Sequence, residues 1–288
     1  YQRTDSKPPT AGNGETHPKG YAVSATQPIF NGFRTLNGVK VAEATVRAGR
    51  ETLRNVEQAV MLTAATAYMD VVRDQAIVKL RENNVDVLSR ELKATRDRFS
   101  VGEVTRTDVA QAEARRAAAV SALDLARANL KTSRAVYERV IGHAPGSLVE
   151  PSGFERWLPR SLEEATSIGT QENPAVVNAL YLEQAAKFGV DRIRGELLPS
   201  VQLEASYSDR FETSALINES ESATVTGRLT VPIYEGGEVY ARVRQQKHIH
   251  ISRLQEIEQA RSESEEQVVA AWSQLLAARA QVQSDQSQ

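Results

Sequence analysis

Side chains whose spacing could support chemistry are few in this chain. His248 and His250 are two closely spaced histidines, and histidine is a residue type that binds metal ions. Residues two apart on a helix point in different directions, and no Asp or Glu spacing converges with this pair. The sequence also contains no cysteine, no phosphate loop, no nucleophile elbow and no pairing of histidine with a carboxylate. We therefore expect no enzyme activity, no cofactor and no metal site.

One carboxylate has a definite local role. Asp108 follows Thr105 by three residues, which is the spacing of a capping box at the start of a helix. Gly102, just before them, suits the left-handed position beyond the end of a preceding helix. The segment therefore predicts a turn of three to four residues between two long antiparallel helices.

The charge balance excludes one class of partner. The 288 residues include 35 Lys and Arg against 37 Asp and Glu, for a net charge of −2. This balance leaves no basic excess to bind phosphates, so we expect no nucleic-acid binding. The apolar share of 41% is too high for a disordered chain, yet no uncharged apolar run reaches the about 18 residues of a membrane-spanning helix.

The positions of proline and glycine indicate very long helices. Neither residue occurs at 50–101, 103–141 or 238–288. Because a helix interior loses about 3 kcal/mol to proline and about 1 kcal/mol to glycine, such gaps are what long helices require. A helix from near Phe33 to Ser100 would be about 100 Å long.

Apolar residues recur within these gaps in seams typical of coiled coils. A four-residue step, or stutter, divides the first seam. Arg116 and Arg261 occupy seam positions, where they would face a lumen or pair with Glu of a neighbour. The first seam comprises Val46, Leu53, Val60, Ala67, Val71, Val78, Val85, Leu92 and Phe99; the second includes Ala119, Leu123, Ala126, Ser133 and Tyr137; the third includes Leu254, Ile257, Ser264 and Val268.

Two further regions alternate with a period of two, which predicts β-strands. Residues 201–208 and 224–233 each place apolar side chains on one face and polar ones on the other. Each is about ten residues long, which is the length of a strand that crosses a membrane. Upstream, Tyr21–Phe30 and Tyr1–Arg3 are predicted to be a matching pair, and the acidic segment Phe211–Ser222 is predicted to be a connection.

The strands and long helices belong to an internal repeat. Gln27-Pro-Ile-Phe-Asn-Gly32 aligns with Val231-Pro-Ile-Tyr-Glu-Gly236 at an offset of 204 residues, and the register holds for about 50 residues. Between the copies, Ser161 and Asn173 are predicted to cap two shorter helices. Four strands cannot close a membrane barrel, so they form either a soluble sheet or a sheet that several chains pool, such as twelve strands from three chains.

Together, the order, spacing and duplication of these motifs resemble the TolC family of outer-membrane efflux and type I secretion channels. The segments that carry the resemblance are Gln27–Gly32, Val231–Gly237, Val101–Val109 and Asn173-Pro174 through Leu198–Val201. The resemblance implies a mainly α fold with a small β part. Long antiparallel coiled-coil helices would build a periplasmic tunnel, and the strands would contribute to a trimeric 12-stranded outer-membrane barrel.

The resemblance also implies a division of the chain and a set of partners. The function would be that of a passive exit duct, located in the outer membrane and extending into the periplasm. The partners would be two more copies of the chain, outer-membrane lipid, a periplasmic adaptor, and an inner-membrane RND pump or ABC transporter. The division would be barrel strands at 1–30, a periplasmic helical hairpin at 31–141 with its tip near 100–108, an equatorial-type loop with short helices at 142–198, barrel strands at 199–234, and a tunnel helix at 235–288.

Two sets of candidate site residues come from the same resemblance. Asp108 corresponds to a carboxylate of the network that holds the periplasmic end of the tunnel shut, and Gln111, one turn on, would share its face. The tip residues Val101, Gly102, Glu103, Val104 and Thr105 would contact the adaptor, since Val101 and Val104 form an apolar pair expected to be exposed. The plainer interpretation of Asp108 is a helix cap, and that of the tip residues is a simple turn between two helices. The family often has Leu at the position of Glu103. The charge of Glu103 argues against a purely apolar contact in this chain.

Relative to the family, the sequence lacks a signal peptide, the first helix, most of the first strand and the second hairpin tip. We therefore expect a fragment of a longer protein. Two alternatives stay open at this point. A periplasmic adaptor would place a lipoyl-like domain beside one hairpin, and a purely structural coiled coil would make the strand alternation accidental.

Overall fold

A computed structural model describes residues 2–7, 17–214 and 217–287 of the chain. Their contacts divide the chain into two compact units. The first comprises the described residues of Tyr1–Thr52 and Ser161–Gln288, and the second is Leu53–Arg160. Helix α1 (Arg34–Ser100) begins in the first unit and ends in the second.

The second unit is a helical hairpin, as the breaker positions predict. Helix α2 (Arg106–Ile141) runs antiparallel to α1, with ion pairs from Arg96 to Glu113 at 2.5 Å and from Arg127 to Glu82 at 2.8 Å. The seam residues buried between the helices are Ala67, Val71 and Leu92 of α1 and Ala119, Leu123, Ala126, Ser133 and Tyr137 of α2. The second predicted seam and the second half of the first are therefore confirmed at these positions.

The part of the first predicted seam that precedes Ala67 is wrong: its residues are not buried by contacts within one chain. Val46, Leu53 and Val60 are all more than half exposed, whereas Ala44 and Ala48 are buried. The reason lies in helix α4 (Pro174–Arg194), where Asn178 Nδ2 donates to the Ala48 carbonyl at 2.7 Å and to Thr52 Oγ1 at 3.0 Å. Close approach to the α1 backbone requires small side chains, so alanines replace the larger residues at this contact.

A tyrosine of α1 anchors the loop that follows α2. Tyr68 donates its hydroxyl hydrogen to the Val149 carbonyl at 2.6 Å and accepts the Val149 amide at 3.0 Å. Its ring lies 6.5 Å from that of Tyr137. These two hydrogen bonds satisfy both backbone groups of Val149, so the loop is fixed at this residue.

The first unit contains one antiparallel sheet of four strands. The strands are β1 (Gln2–Lys7), β2 (Lys19–Asn31), β3 (Ser200–Ser214) and β4 (Ile217–Thr230), in the order β1-β4-β3-β2. In this register Val201 lies opposite Leu229 and Phe30, and Ala205 lies opposite Val225 and Ala25. Since facing residues share a side of the sheet, the predicted apolar and polar faces are both present.

The connection predicted at Phe211–Ser222 is wrong. Strand β3 continues to Ser214 and β4 begins at Ile217, so that most of this acidic segment is paired. Side-chain alternation ends near Tyr207, but backbone hydrogen bonds do not depend on side-chain polarity and the ladder continues. The same extension lengthens β1 and β2 beyond the predicted Tyr1–Arg3 and Tyr21–Phe30; the predicted start at Tyr1 lies outside the described residues.

The remaining α-helices pack against one another in the first unit. They are α3 (Leu162–Glu172), α4 and α5 (Glu238–Ser287), and Val190 and Ile193 of α4 form a buried cluster with Val239 and Val243 of α5. Ser161 caps α3 by accepting the Glu164 amide, and Asn173 caps α4 with Pro174 at its first position, both as predicted.

The repeat is visible in the backbone where strand passes to helix. Gly32 and Phe33 have φ values of 66° and 61°, and Gly236 and Gly237, 204 residues further on, have 61° and 83°. Helices α1 and α5 then begin at Arg34 and Glu238, which are also 204 residues apart. Both copies therefore use two consecutive left-handed residues to turn into the long helix, although the first copy has Phe33 where glycine is favoured.

Candidate functional site

The candidate site is the turn between α1 and α2, where the sequence places both sets of functional residues. Helix α1 ends at Ser100, and Gly102 adopts the left-handed φ of 82°. The Gly102 amide donates to the Phe99 carbonyl at 3.0 Å, and the Glu103 amide donates to that of Arg98 at 3.0 Å. These bonds close the C-terminus of α1, so the turn ends the helix without unpaired carbonyls at these positions.

Asp108 and Thr105 form the predicted capping box. Asp108 Oδ2 accepts the Thr105 amide at 2.8 Å and the Thr105 hydroxyl at 2.8 Å, while Thr105 Oγ1 accepts the Asp108 amide at 3.3 Å. The backbone amide of Thr105, followed by its hydroxyl, lowers the pKa of the Asp108 carboxyl below its ordinary value. The negative charge of Asp108 is therefore stabilised at the N-terminus of α2, where the helix dipole also favours an anion.

Most residues of the turn are accessible. Val101 is 72% exposed, and Gly102, Glu103, Thr105, Asp108 and Gln111 are also exposed. Val104 is only partly exposed, so the expected exposed pair of valines is reduced to one. Asp108 and Gln111, three apart on α2, lie on one face of that helix.

Removal of the threonine cap should loosen the first turn of α2. We expect Thr105→Ala to destabilise this turn by about 1 kcal/mol, measured by amide hydrogen exchange over 106–110. Thr107→Ala is the matched control, because the Thr107 side chain makes no hydrogen bond with another residue in the described part of the chain. Equal exchange rates in the two variants would contradict the capping role.

The stabilising effect of the Thr105–Asp108 cap should decrease as the pH falls. Because the folded-state pKa of Asp108 is lowered, its stabilising effect is present above the ordinary carboxyl pKa of about 3.9 and is lost as the pH falls through the lowered value. The difference in exchange between Thr105→Ala and the unmodified chain should therefore shrink in acid. A difference that grows below pH 4 would contradict this assignment.

The two seam arginines make contacts within the chain. Arg116 Nε donates to Ser89 Oγ at 3.1 Å across the hairpin, and Arg261 pairs with Glu258 on its own helix at 2.8 Å. A polar cluster that the sequence analysis did not single out lies further up the hairpin. Asp74 is only 6% exposed and accepts from Arg73 Nε at 2.9 Å, close to Asn129 and Ser133 of α2. In the sequence, Asp74 is a charged residue at a position where the amphipathic pattern of α1 predicts a buried side chain. This mismatch is the signal that could have identified it.

One histidine of the pair contacts a carboxylate on another helix. His250 Nε2 lies 2.5 Å from Glu183 Oε1, a contact between α4 and α5 that sequence spacing did not predict. Across 2–7, 17–214 and 217–287, no group of three or more His, Cys, Asp or Glu side chains is placed to hold a metal ion. In the same ranges, no helix combines the length and the apolarity needed to cross a membrane.

The chain is similar to proteins of a known family. The family described as outer membrane efflux protein matches residues 2–143 and 168–288. The outer membrane efflux protein BepC of Brucella suis biovar 1 is 38% identical over 261 residues, which cover 90% of this chain and 57% of BepC. The alkaline protease secretion protein AprF of Pseudomonas aeruginosa is 25% identical over 244 residues, which cover 78% of this chain and 48% of AprF.

Solved structures share the fold at low sequence identity. CusC, described as forming a transmembrane channel, covers 99% of this chain with a TM-score of 0.78 at 15% identity, and 69% of CusC is covered. The outer membrane protein VceC of Vibrio cholerae gives a TM-score of 0.75 at 12% identity, covering 99% of this chain and 71% of VceC. The chain spans about half the length of the curated relatives it matches. Because the family match extends over most of its residues, the chain belongs to the outer membrane efflux protein family.

Proposed function

We propose that this chain forms part of a passive exit duct in the outer membrane that extends into the periplasm. The four-stranded sheet would join those of two further copies in a trimeric, 12-stranded barrel, and the long helices would form the tunnel. Transport energy would come from an inner-membrane RND pump or ABC transporter, reached through a periplasmic adaptor. The proposal assigns the chain no enzymatic activity and no cofactor.

The observation that carries the proposal is the sheet. One face presents Val23, Val225 and Leu229 to the outside with more than half of each side chain exposed, while the other face bears Gln202, Glu204 and Arg228. An exposed apolar face suits lipid, and a polar face suits an aqueous lumen. Strands β1 and β2 lie at the two edges, and edges cannot remain unpaired in lipid, so copies of the chain must supply the missing partners.

Family membership also decides among the alternatives. A periplasmic adaptor and a purely structural coiled coil are not favoured, because the family match covers the strands as well as the helices. BepC is named for efflux and AprF for the secretion of alkaline protease. In the proposed duct, either cargo would be selected by the partner proteins.

Within this proposal, the turn at Val101–Thr105 contacts the adaptor, and Asp108 with Gln111 contributes to the closed end. The support is positional. Val101 offers an exposed apolar contact at the end of the hairpin, and Glu103 adds a charge beside it. The carboxylate of Asp108 is exposed and ionised, so it could accept hydrogen bonds from a neighbouring helix in addition to those of its own cap.

Reconstitution of the full-length protein in planar bilayers tests the duct. We expect a trimer in detergent, by mass measurement, and discrete pore openings in the bilayer. A monomer or dimer without any pore conductance would overturn the proposal.

For the gate, we expect Asp108→Ala and Asp108→Asn both to raise the conductance of the closed full-length channel. Both variants remove the charge, and asparagine keeps an oxygen that can accept from the Thr105 amide. Asp124→Ala is the control, since Asp124 is an exposed carboxylate of α2 far from the turn. If Asp108→Asn conducts like the unmodified channel, the role of Asp108 is capping alone.

A further inference from the structure

A cationic depression lies where the sheet of the first unit meets its helices. Its volume is about 440 Å³, and three arginines from three different helices reach it: Arg34 of α1, Arg192 of α4 and Arg242 of α5. The other lining residues are Asn31, Thr35, Gly38 and Glu196. Three guanidinium groups and one carboxylate leave a surplus of two positive charges in this small volume.

The contacts of the arginines leave most of their donors available. Arg242 pairs with both oxygens of Glu196, at 2.6 and 3.0 Å, which neutralises one of the three charges. Arg34 uses Nε to donate to the Asn31 carbonyl at 3.0 Å. The Arg192 guanidinium makes no hydrogen bond or ion pair with any residue within the described ranges. The terminal NH₂ groups of Arg34 and the whole guanidinium of Arg192 can therefore bind an added anion.

One glycine allows an arginine side chain of the depression to lie close to the backbone. A Cβ atom at Gly195 would be 2.9 Å from Arg34 Cγ. Helix α1 begins at Arg34 with no acidic residue in its first turn. The positive end of the helix dipole therefore adds to the arginine charges without a side chain to offset it.

The register of the sheet indicates which side the depression belongs to. Asn31, which lines it, faces Ser200, and Ser200 shares its face with Gln202 and Glu204. This is the polar face of the sheet, opposite the one that carries Val201 and Leu203. In the proposed duct the polar face lines the lumen, so the depression would meet dissolved solutes and not lipid.

We propose that Arg34, Arg192 and Arg242 form a binding site for the phosphate or carboxylate groups of water-soluble anions. The planar fork of a guanidinium group matches both kinds of oxyanion, and two forks with free donors can hold one anion between them. The access of solutes through a lumen rests on the proposed function. The site itself rests only on the contacts within the first unit.

Equilibrium binding of inorganic pyrophosphate to the full-length protein tests the site. Calorimetry in dodecyl maltoside should detect binding, and Arg192→Gln should weaken it about tenfold, the loss expected for one charge-assisted hydrogen bond. Arg194→Gln is the matched control: Arg194 lies two residues away on α4, pairs with Asp191 at 3.6 Å and does not line the depression. Absence of binding, or equal weakening in both variants, would overturn the site.

A second pair of measurements separates the possible sources of the anion. If the site serves dissolved anions, pyrophosphate should bind equally well to the protein in detergent and in phospholipid nanodiscs. Binding that is lost in nanodiscs would mean that a lipid headgroup fills the site, and would overturn the proposal. Calorimetry needs no conductance, so a protein that binds pyrophosphate but forms no pore would refute only the duct, and a pore without binding would refute only this site.

Discussion

Replacing Gly195 with alanine should prevent the sheet and helices of the first unit from meeting as they do. A Cβ atom at Gly195 would lie 2.2 Å from the carbonyl oxygen of Gly32, and one at Gly32 would lie 2.1 Å from that of Gly195. Both contacts are far below van der Waals distance and both are with backbone, so no side-chain rotation relieves them. We expect each alanine variant to lose about 3 kcal/mol or more of unfolding free energy, measured by urea unfolding followed by circular dichroism.

The two positions separate two causes of instability. Gly195 has an ordinary helical φ of −61°, so alanine there adds only the clash. Gly32 has a φ of 66°, so alanine there adds backbone strain as well, and we expect Gly32→Ala to be the more destabilising. Gly49→Ala is the control, because a Cβ atom at this α1 position meets nothing within 4 Å, and it should increase stability by up to about 1 kcal/mol. Unfolding of Gly195→Ala at the same urea concentration as Gly49→Ala would contradict the close approach.

A charge placed on the apolar face of the sheet should impair membrane insertion, whereas the same charge one residue away should not. Val23 is 65% exposed and faces Tyr207, and Ser24 faces Ser206 on the other side of the sheet. Arginine on a lipid-facing strand position costs about 2–4 kcal/mol near the middle of the membrane, and each copy in a trimer adds its own cost. We therefore expect Val23→Arg to fold poorly into phospholipid vesicles.

Ser24→Arg is the matched control for this prediction, because its side chain would face the proposed lumen. It should fold into vesicles with a yield close to that of the unmodified protein, measured by protection of the strands from added protease. Equal yields for Val23→Arg and Ser24→Arg would show that neither face contacts lipid, which would contradict the membrane assignment of the sheet.

Features that depend on residues close in sequence could be predicted well. The sequence predicts one helix from near Phe33 to Ser100 and a second that is capped by Thr105, close to the observed α1 (Arg34–Ser100) and α2 (Arg106–Ile141). The capping box joins residues only three apart, so its spacing is enough to identify it. Each strand-to-helix junction of the repeat also depends only on residues close in sequence. The offset of 204 residues between the two junctions is therefore visible both in the sequence and in the backbone angles.

Features that depend on which helix or strand packs against which could not be predicted in this way. Val46 and Leu53 repeat with the right period, yet Ala44 and Ala48 are buried, because the period of a helix does not say which face its neighbour approaches. The acidic residues after Tyr207 resemble a loop in polarity, but pairing with β1 and with each other continues the ladder past them. The roles of Asp108, Gln111 and the turn residues depend on other chains, so they remain proposals.

The sequence by itself determined the elements of this protein: long helices without breakers, alternating strands, a duplicated strand-to-helix junction and a capped turn. Those properties follow from backbone propensity and from periodicity, which act over a few residues. Only the tertiary structure decided which distant residues meet. Gly32 and Gly195 touch, and Arg34, Arg192 and Arg242 share one depression, because the junction between β2 and α1 lies against the end of α4, where Arg242 of α5 pairs with Glu196. No local pattern marks such a site, since its charges come from three separate helices whose placement is set by close packing.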